Sequence, residues 1–146
     1  MATAFDDALF EDDWESVRRL PEADRWILER DGSVPLGIFA TLSPRVAPQE
    51  SFTARLRWTE MGRPPSLKFV DPSTRSDTLP RAWPRFFGAR PSNLDACLPW
   101  TQEGQTLHPE WERSASTRYP AVDVPIQFAL LHLQTALDNT YAGREA

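Results

Sequence analysis

The chain has 146 residues, 40% of them apolar and 25% charged, a composition that folds rather than stays disordered and a length that suits one domain. Its formal net charge is -5 and its fifteen arginines are scattered without a basic run, which argues against nucleic acid as a main partner. No apolar run approaches the ~18–20 residues that cross a bilayer, the first residues carry no signal-like pattern, and the single cysteine cannot close an internal disulfide; a cytoplasmic protein with no membrane partner is expected.

The first element is an amphipathic helix over residues 6–20. Phe10, Trp14 and Val17 recur at helical spacing, acids crowd the start, Arg18 and Arg19 stand near the end, and Pro21 supplies a stop. From about residue 25 the period changes from helical to alternating. "RWILERDG" ends in an Asp-Gly turn signal, and "VPLGIFATLSPR" is rich in β-formers. "ESFTARLRWTE" sets Phe52, Ala54, Leu56 and Trp58 against Thr53, Arg55 and Arg57. Leu67 to Val70 offer a fourth short strand closed by prolines. The expectation is an antiparallel meander of three or four strands.

Residues 71–122 follow neither period for any length, and eight of the fourteen prolines lie between Pro64 and Pro109. A segment this long without regular structure is usually functional or disordered, and its aromatic residues Trp83, Phe86, Phe87 and Trp100 argue that it is packed on something. The chain closes with a second amphipathic helix. Asp123 reads as its N-cap, Pro125 fits its first turn, and Ile126, Leu130, Leu133, Leu137 and Tyr141 form its apolar stripe before Gly143.

The only cysteine, Cys97, lies inside the proline-rich segment, in "ACLPW". One cysteine and two histidines without CxxC or HExxH spacing do not fill a structural zinc shell, and neither a phosphate-binding glycine loop nor a nucleophile elbow is present. No metal and no cofactor are expected. The tryptophans read as core or loop anchors, and His132, set between leucines, reads as bordering the core.

The order of helix, meander, "RPPSLKFVDP", "ACLPW", Trp111, Tyr119-Pro120 and the helix "PIQFALLHLQTAL" resembles the ubiquitin-conjugating enzymes, in particular their divergent bacterial relatives. The resemblance covers most of the chain through short, degenerate motifs. It implies one α/β domain over residues 1–146, an antiparallel meander flanked by N- and C-terminal helices with a long irregular active-site segment. It also implies that Cys97 carries a ubiquitin-like modifier as a thioester and passes it to an amine. The partners so implied are the modifier, an adenylating activating enzyme that uses the ATP, and a deconjugating metalloprotease; the implied setting is a bacterial conjugation or antiphage defence pathway. A thiolate suits the task because its acyl ester stays reactive toward amines.

The chain departs from that family at its His-Pro-Asn motif, in whose place stands "FGARPSN" without a histidine. Asn93, four residues before Cys97, reads either as an amide donor to an oxyanion or as an Asx-turn residue. His108 reads either as a base folded back on the cysteine or as a loop residue beside Pro109. Asp95 and Glu110 are carboxylates that would help an incoming amine lose its proton, or solvated loop acids. A packed, non-catalytic Cys97 in an interaction module, and a different cysteine enzyme using His108, are the rival readings.

Overall fold

The computed structural model describes residues 2–146. Helix α1 runs Ala4–Val17, somewhat earlier than its expected span. The reason lies in its first turn. Thr3 Oγ1 accepts the Asp6 amide at 3.1 Å while the Asp6 carboxylate accepts the Thr3 amide at 2.9 Å, a reciprocal box that satisfies amides the helix itself leaves open. The other Asp6 oxygen accepts the Met61 amide at 2.9 Å, tying the cap to the loop that precedes the last strand of the meander. Arg18 and Arg19 fall beyond the last turn, and a 3-10 turn over Pro21–Arg25 follows.

Strands β1 (Ile27–Arg30), β2 (Gly37–Leu42), β3 (Phe52–Arg57) and β4 (Ser66–Val70) form an antiparallel sheet in the order β1-β2-β3-β4. Ala40 faces Ala54 and Ala54 faces Phe69 across the ladders, so the alternation seen in β3 places one apolar row inward. That row, with Ile38, Leu42, Phe52, Leu56 and Leu67, is fully or almost fully buried. On the opposite face the loop after β4 folds back: Arg75 lies 4.1 Å above the Phe39 ring and pairs with Glu29, and Asp77 pairs with Arg55.

The core joins this sheet face to Phe10, Trp14 and Val17 of α1 and to the stripe of the last helix, α3, which spans Pro125–Thr140 and packs against α1. Ile126, Leu130, Leu133 and Leu137 are buried as their spacing requires, whereas Tyr141 follows the last helical residue. Asp123 does not cap α3. Val124 occupies the cap position without a side-chain acceptor, and the missing acceptor is supplied from α1: the Asp13 carboxylate receives the amides of Ile126 and Gln127. A carboxylate at a helix N-terminus also meets the positive end of the helix dipole.

The segment 71–122 is more ordered than its sequence suggests. It contains a two-stranded hairpin, β5 (Ala89–Arg90) with β6 (Asp95–Ala96), the short helix α2 (Gln102–Leu107) and three 3-10 turns. Its aromatic residues do pack: Phe69 of β4 meets Trp83 at 5.1 Å and Phe86 at 6.1 Å, both edge-on. Phe87 is the exception, 78% exposed. The C-terminal tail pairs with this segment through Arg85 N to Gly143 O, Ala142 N to Arg85 O and Glu145 N to Trp83 O. Among the described residues no helix is long and apolar enough to cross a membrane.

Candidate active site around Cys97

Cys97 directly follows β6, and the residues on both sides of it fix its backbone. Ala96 is completely buried and Leu98 nearly so, while Cys97 itself remains partly exposed. Its amide donates to the Gly88 carbonyl at 2.7 Å, extending the β5–β6 ladder by one bond. Gly88 has φ +95°, and a Cβ there would collide with the Leu98 side chain; only glycine provides both the backbone turn and the clearance.

Downstream, Thr101 holds the exit of the loop. Its hydroxyl lies 2.7 Å from the Ala96 carbonyl and 3.1 Å from the Leu98 carbonyl, and it accepts the Gly104 amide at 3.0 Å, capping α2. Gly104 sits directly beneath Leu98, where an added methyl would meet the Leu98 carbonyl oxygen and amide nitrogen. Glu103 ties α2 to the sheet by accepting from Ser66 Oγ at 2.5 Å and the Leu67 amide at 3.1 Å. Lys68, the only lysine, donates to the Leu94 carbonyl at 2.7 Å. Leu94 has φ +57°, the left-handed turn that reverses the chain between β5 and β6. Cys97 therefore stands at the end of a short hairpin fastened at its turn, its base and its exit.

Arg90 and Asp95 face each other across that hairpin. Arg90 Nε and Nη2 each lie 2.7 Å from a separate Asp95 oxygen, a bidentate charge-assisted pair. Side chains two residues apart on a strand share a face, so Asp95 and Cys97 point the same way and Arg90 lies diagonally across from the sulfur. Burial pushes the Cys97 thiol up; the Asp95 charge adds to the rise and the Arg90 guanidinium opposes it. At neutral pH the group is a thiol. That state is compatible with exchange against an incoming thioester, where acceptor and donor sulfurs are nearly matched, and less so with attack on an unactivated ester.

Of the candidate residues read from the sequence, the structure brings Asp95 to Cys97. Asn93 is exposed on the 3-10 turn between β5 and β6, where its Oδ1 accepts from Ser92 Oγ at 3.3 Å. His108 caps the far end of α2; its Nδ1 lies 3.0 Å from Glu110 Oε2 and its ring stacks on Trp111 at 4.3 Å and 17°. Its partners belong to the α2 exit, as does Glu110. His132 is exposed on α3 at the border of the core, with its ring 4.0 Å from Phe128 and 6.4 Å from buried Trp100.

The reading from sequence missed Arg90. Its signal is the string "RPSNLDAC": opposite charges flanking a Pro-Ser-Asn turn, with the cysteine two residues past the acid, which is the alternation of a hairpin. Beside the Cys97 loop runs an open apolar groove of about 380 Å³, lined by Phe87, Leu98, Trp100, Leu131, Ala136 and Thr140 among others. Among the described residues no group of three or more His, Cys, Asp or Glu side chains could hold a metal ion. Comparison with protein-family models, with curated proteins and with solved structures finds no match to this chain.

Proposed function

We propose that this protein is a thioester carrier of the ubiquitin-conjugating type: Cys97 accepts the activated carboxyl terminus of a ubiquitin-like modifier from an adenylating enzyme and delivers it to a primary amine. The observation that carries this reading is the placement of the sole cysteine. Its backbone is pinned between buried Ala96 and Leu98 and bonded to Gly88, yet the residue itself is partly exposed at a hairpin end. The order helix, four-stranded meander, cysteine segment and packed C-terminal helix agrees with the ubiquitin-conjugating arrangement suggested by the motifs. A deconjugating metalloprotease would complete the pathway.

A second reading has its own support. The raised thiol and the separate contacts of His108 suit an interaction module of the same shape in which Cys97 carries no acyl group. Replacing Cys97 by lysine in the native host separates the two. A carrier forms an isopeptide at position 97, detected by mass spectrometry, because the lysine amine attacks the activating enzyme's thioester and the amide is not passed on. No adduct, together with a wild-type thiol that resists alkylation until the chain unfolds, would leave the interaction module.

A further inference from the structure

We infer that Arg90 is the oxyanion donor of the transfer step and that Asp95 holds its guanidinium in place. The inference rests on the carrier reading of Cys97. The resembled family assigns oxyanion support to an asparagine in a motif that this chain lacks, and the asparagine nearest in sequence, Asn93, lies exposed on the turn. The cationic side chain on the cysteine's own face of the hairpin is Arg90.

The geometry follows from strand pairing. Arg90 opposes Asp95, and Cys97 lies one repeat further along the same face, so the diagonal from Arg90 spans about 7–8 Å between backbones, a distance an arginine side chain bridges. A guanidinium has five N–H donors, and Asp95 engages the Nε and Nη2 edge. The Nη1 edge is left for another acceptor, and the plane of the fork is already fixed. Arg90 and Cys97 also interact electrostatically. A thioester carbonyl on the sulfur would place its oxygen where positive charge has been fastened before reaction, the condition under which such a donor lowers a barrier.

In the step itself the amine nitrogen attacks the thioester carbon and forms a C–N bond while the carbonyl π pair moves to oxygen. Arg90 donates to that oxygen. The carbonyl then re-forms, the C–S bond breaks, and the departing Cys97 sulfur takes up a proton equivalent to the one lost by the amine. Bonds and charge balance without an oxidant, metal or further co-reactant.

The test needs no natural partner. Full-length protein is loaded at Cys97 by exchange with a short glycine-terminated peptide thioester and discharged with hydroxylamine. In parallel, the pH dependence of iodoacetamide alkylation is recorded. Arg90→Gln is expected to load but to discharge roughly 10–100-fold more slowly, less than a fully buried donor would give because Arg90 is partly exposed. Arg90→Lys is expected to fall between. The alkylation profile should shift to higher pH in Arg90→Gln and to lower pH in Asp95→Asn, opposite displacements that simple loosening of the hairpin does not produce. If the wild type does not load, the carrier reading falls and the inference with it. If Arg90→Gln loads and discharges within twofold of the wild type, Arg90 is not the donor even though the carrier reading stands. Should Arg90→Gln melt below the assay temperature, Arg90→Lys takes its place: slower discharge with loading intact is expected, and discharge within twofold of the wild type overturns the inference.

Discussion

The sheet with its two long helices and the segment that carries Cys97 are held together by different forces. In the first, apolar side chains at periods of two and 3.6 meet in one core, and nearly every inward residue from Ile38 to Leu137 is excluded from water. In the second, short turns are fixed by particular polar bonds: Thr101 to the backbone of Ala96, Leu98 and Gly104, Glu103 to β4, Lys68 to the hairpin turn and Arg90 to Asp95. Burial is non-directional and tolerates sequence change, whereas each of these pins serves one position. Cys97 belongs to the pinned region, where local geometry can be set without disturbing the sheet.

The strongest way to break the contrast is at the residue where both regions share a core. Phe69→Ala removes a ring that contacts Phe52 on the sheet side and Trp83 and Phe86 on the segment side. A loss of about 3–5 kcal/mol is expected, with both regions unfolding in one transition. Urea dependence of amide exchange over β2 and β3 and over 96–107 should give coincident curves. Two separated transitions would show that the segment is an independent unit.

A smaller change should separate the regions. Gly104→Ala forces a methyl into the Leu98 backbone and is expected to cost about 2–3 kcal/mol after the modest gain from a better helix former. The effect should concentrate near Cys97: faster alkylation of the native thiol and faster amide exchange over 96–107, with β2 and β3 still protected. Unchanged alkylation would mean that the Cys97 loop does not depend on its seat against α2.

The smallest test asks whether the regular region also relies on a polar pin. Asp13 lies between α1 and the start of α3, and burial raises its carboxyl to about 6 in spite of the Ile126 and Gln127 amides, which favour the charged form. A folded value above the unfolded 3.8 means that the folded state holds the proton more tightly. Its contribution is therefore fully present below about 4 and is lost as pH rises through about 6, on the order of 1–2 kcal/mol once solvent screening is allowed for. Asp31 and Asp138 have the opposite sign. Serine bonds and Arg57 hold the first low against burial, Arg25 the second, and their contributions are lost as pH falls. Comparing urea midpoints of the wild type and Asp13→Asn between pH 4 and 7 should show the wild-type advantage shrinking as pH rises. A difference that stays flat or grows would remove Asp13 as a titrating cap.

Legibility follows the same division. Phe52, Ala54 and Leu56 announced β3, and Ile126, Leu130, Leu133 and Leu137 announced α3, because a periodic row of apolar residues has one low-energy way to reach a core. Asp123 misled as the α3 cap because its position before the helix is right for a cap; the acceptor came instead from Asp13, more than a hundred residues earlier. Helix α2 was missed since six residues ending against a histidine and a proline carry too little periodicity to register, and its stability comes from Thr101 and Glu103 bonding elsewhere.

By itself the sequence determined the N-terminal helix, an antiparallel meander of three or four strands, the C-terminal helix and the presence of a lone cysteine in a proline-rich stretch, since these depend on local period and residue type. Only the tertiary structure decided which groups surround that cysteine. It set Arg90 and Asp95 beside Cys97 by pairing two two-residue strands, and it stacked His108 on Trp111 with Nδ1 against Glu110. The physical reason is that a short hairpin has almost no stability of its own; its register is fixed by what holds it, here Gly88, Lys68 and Thr101, and those partners are distant in the chain or specific to one backbone geometry.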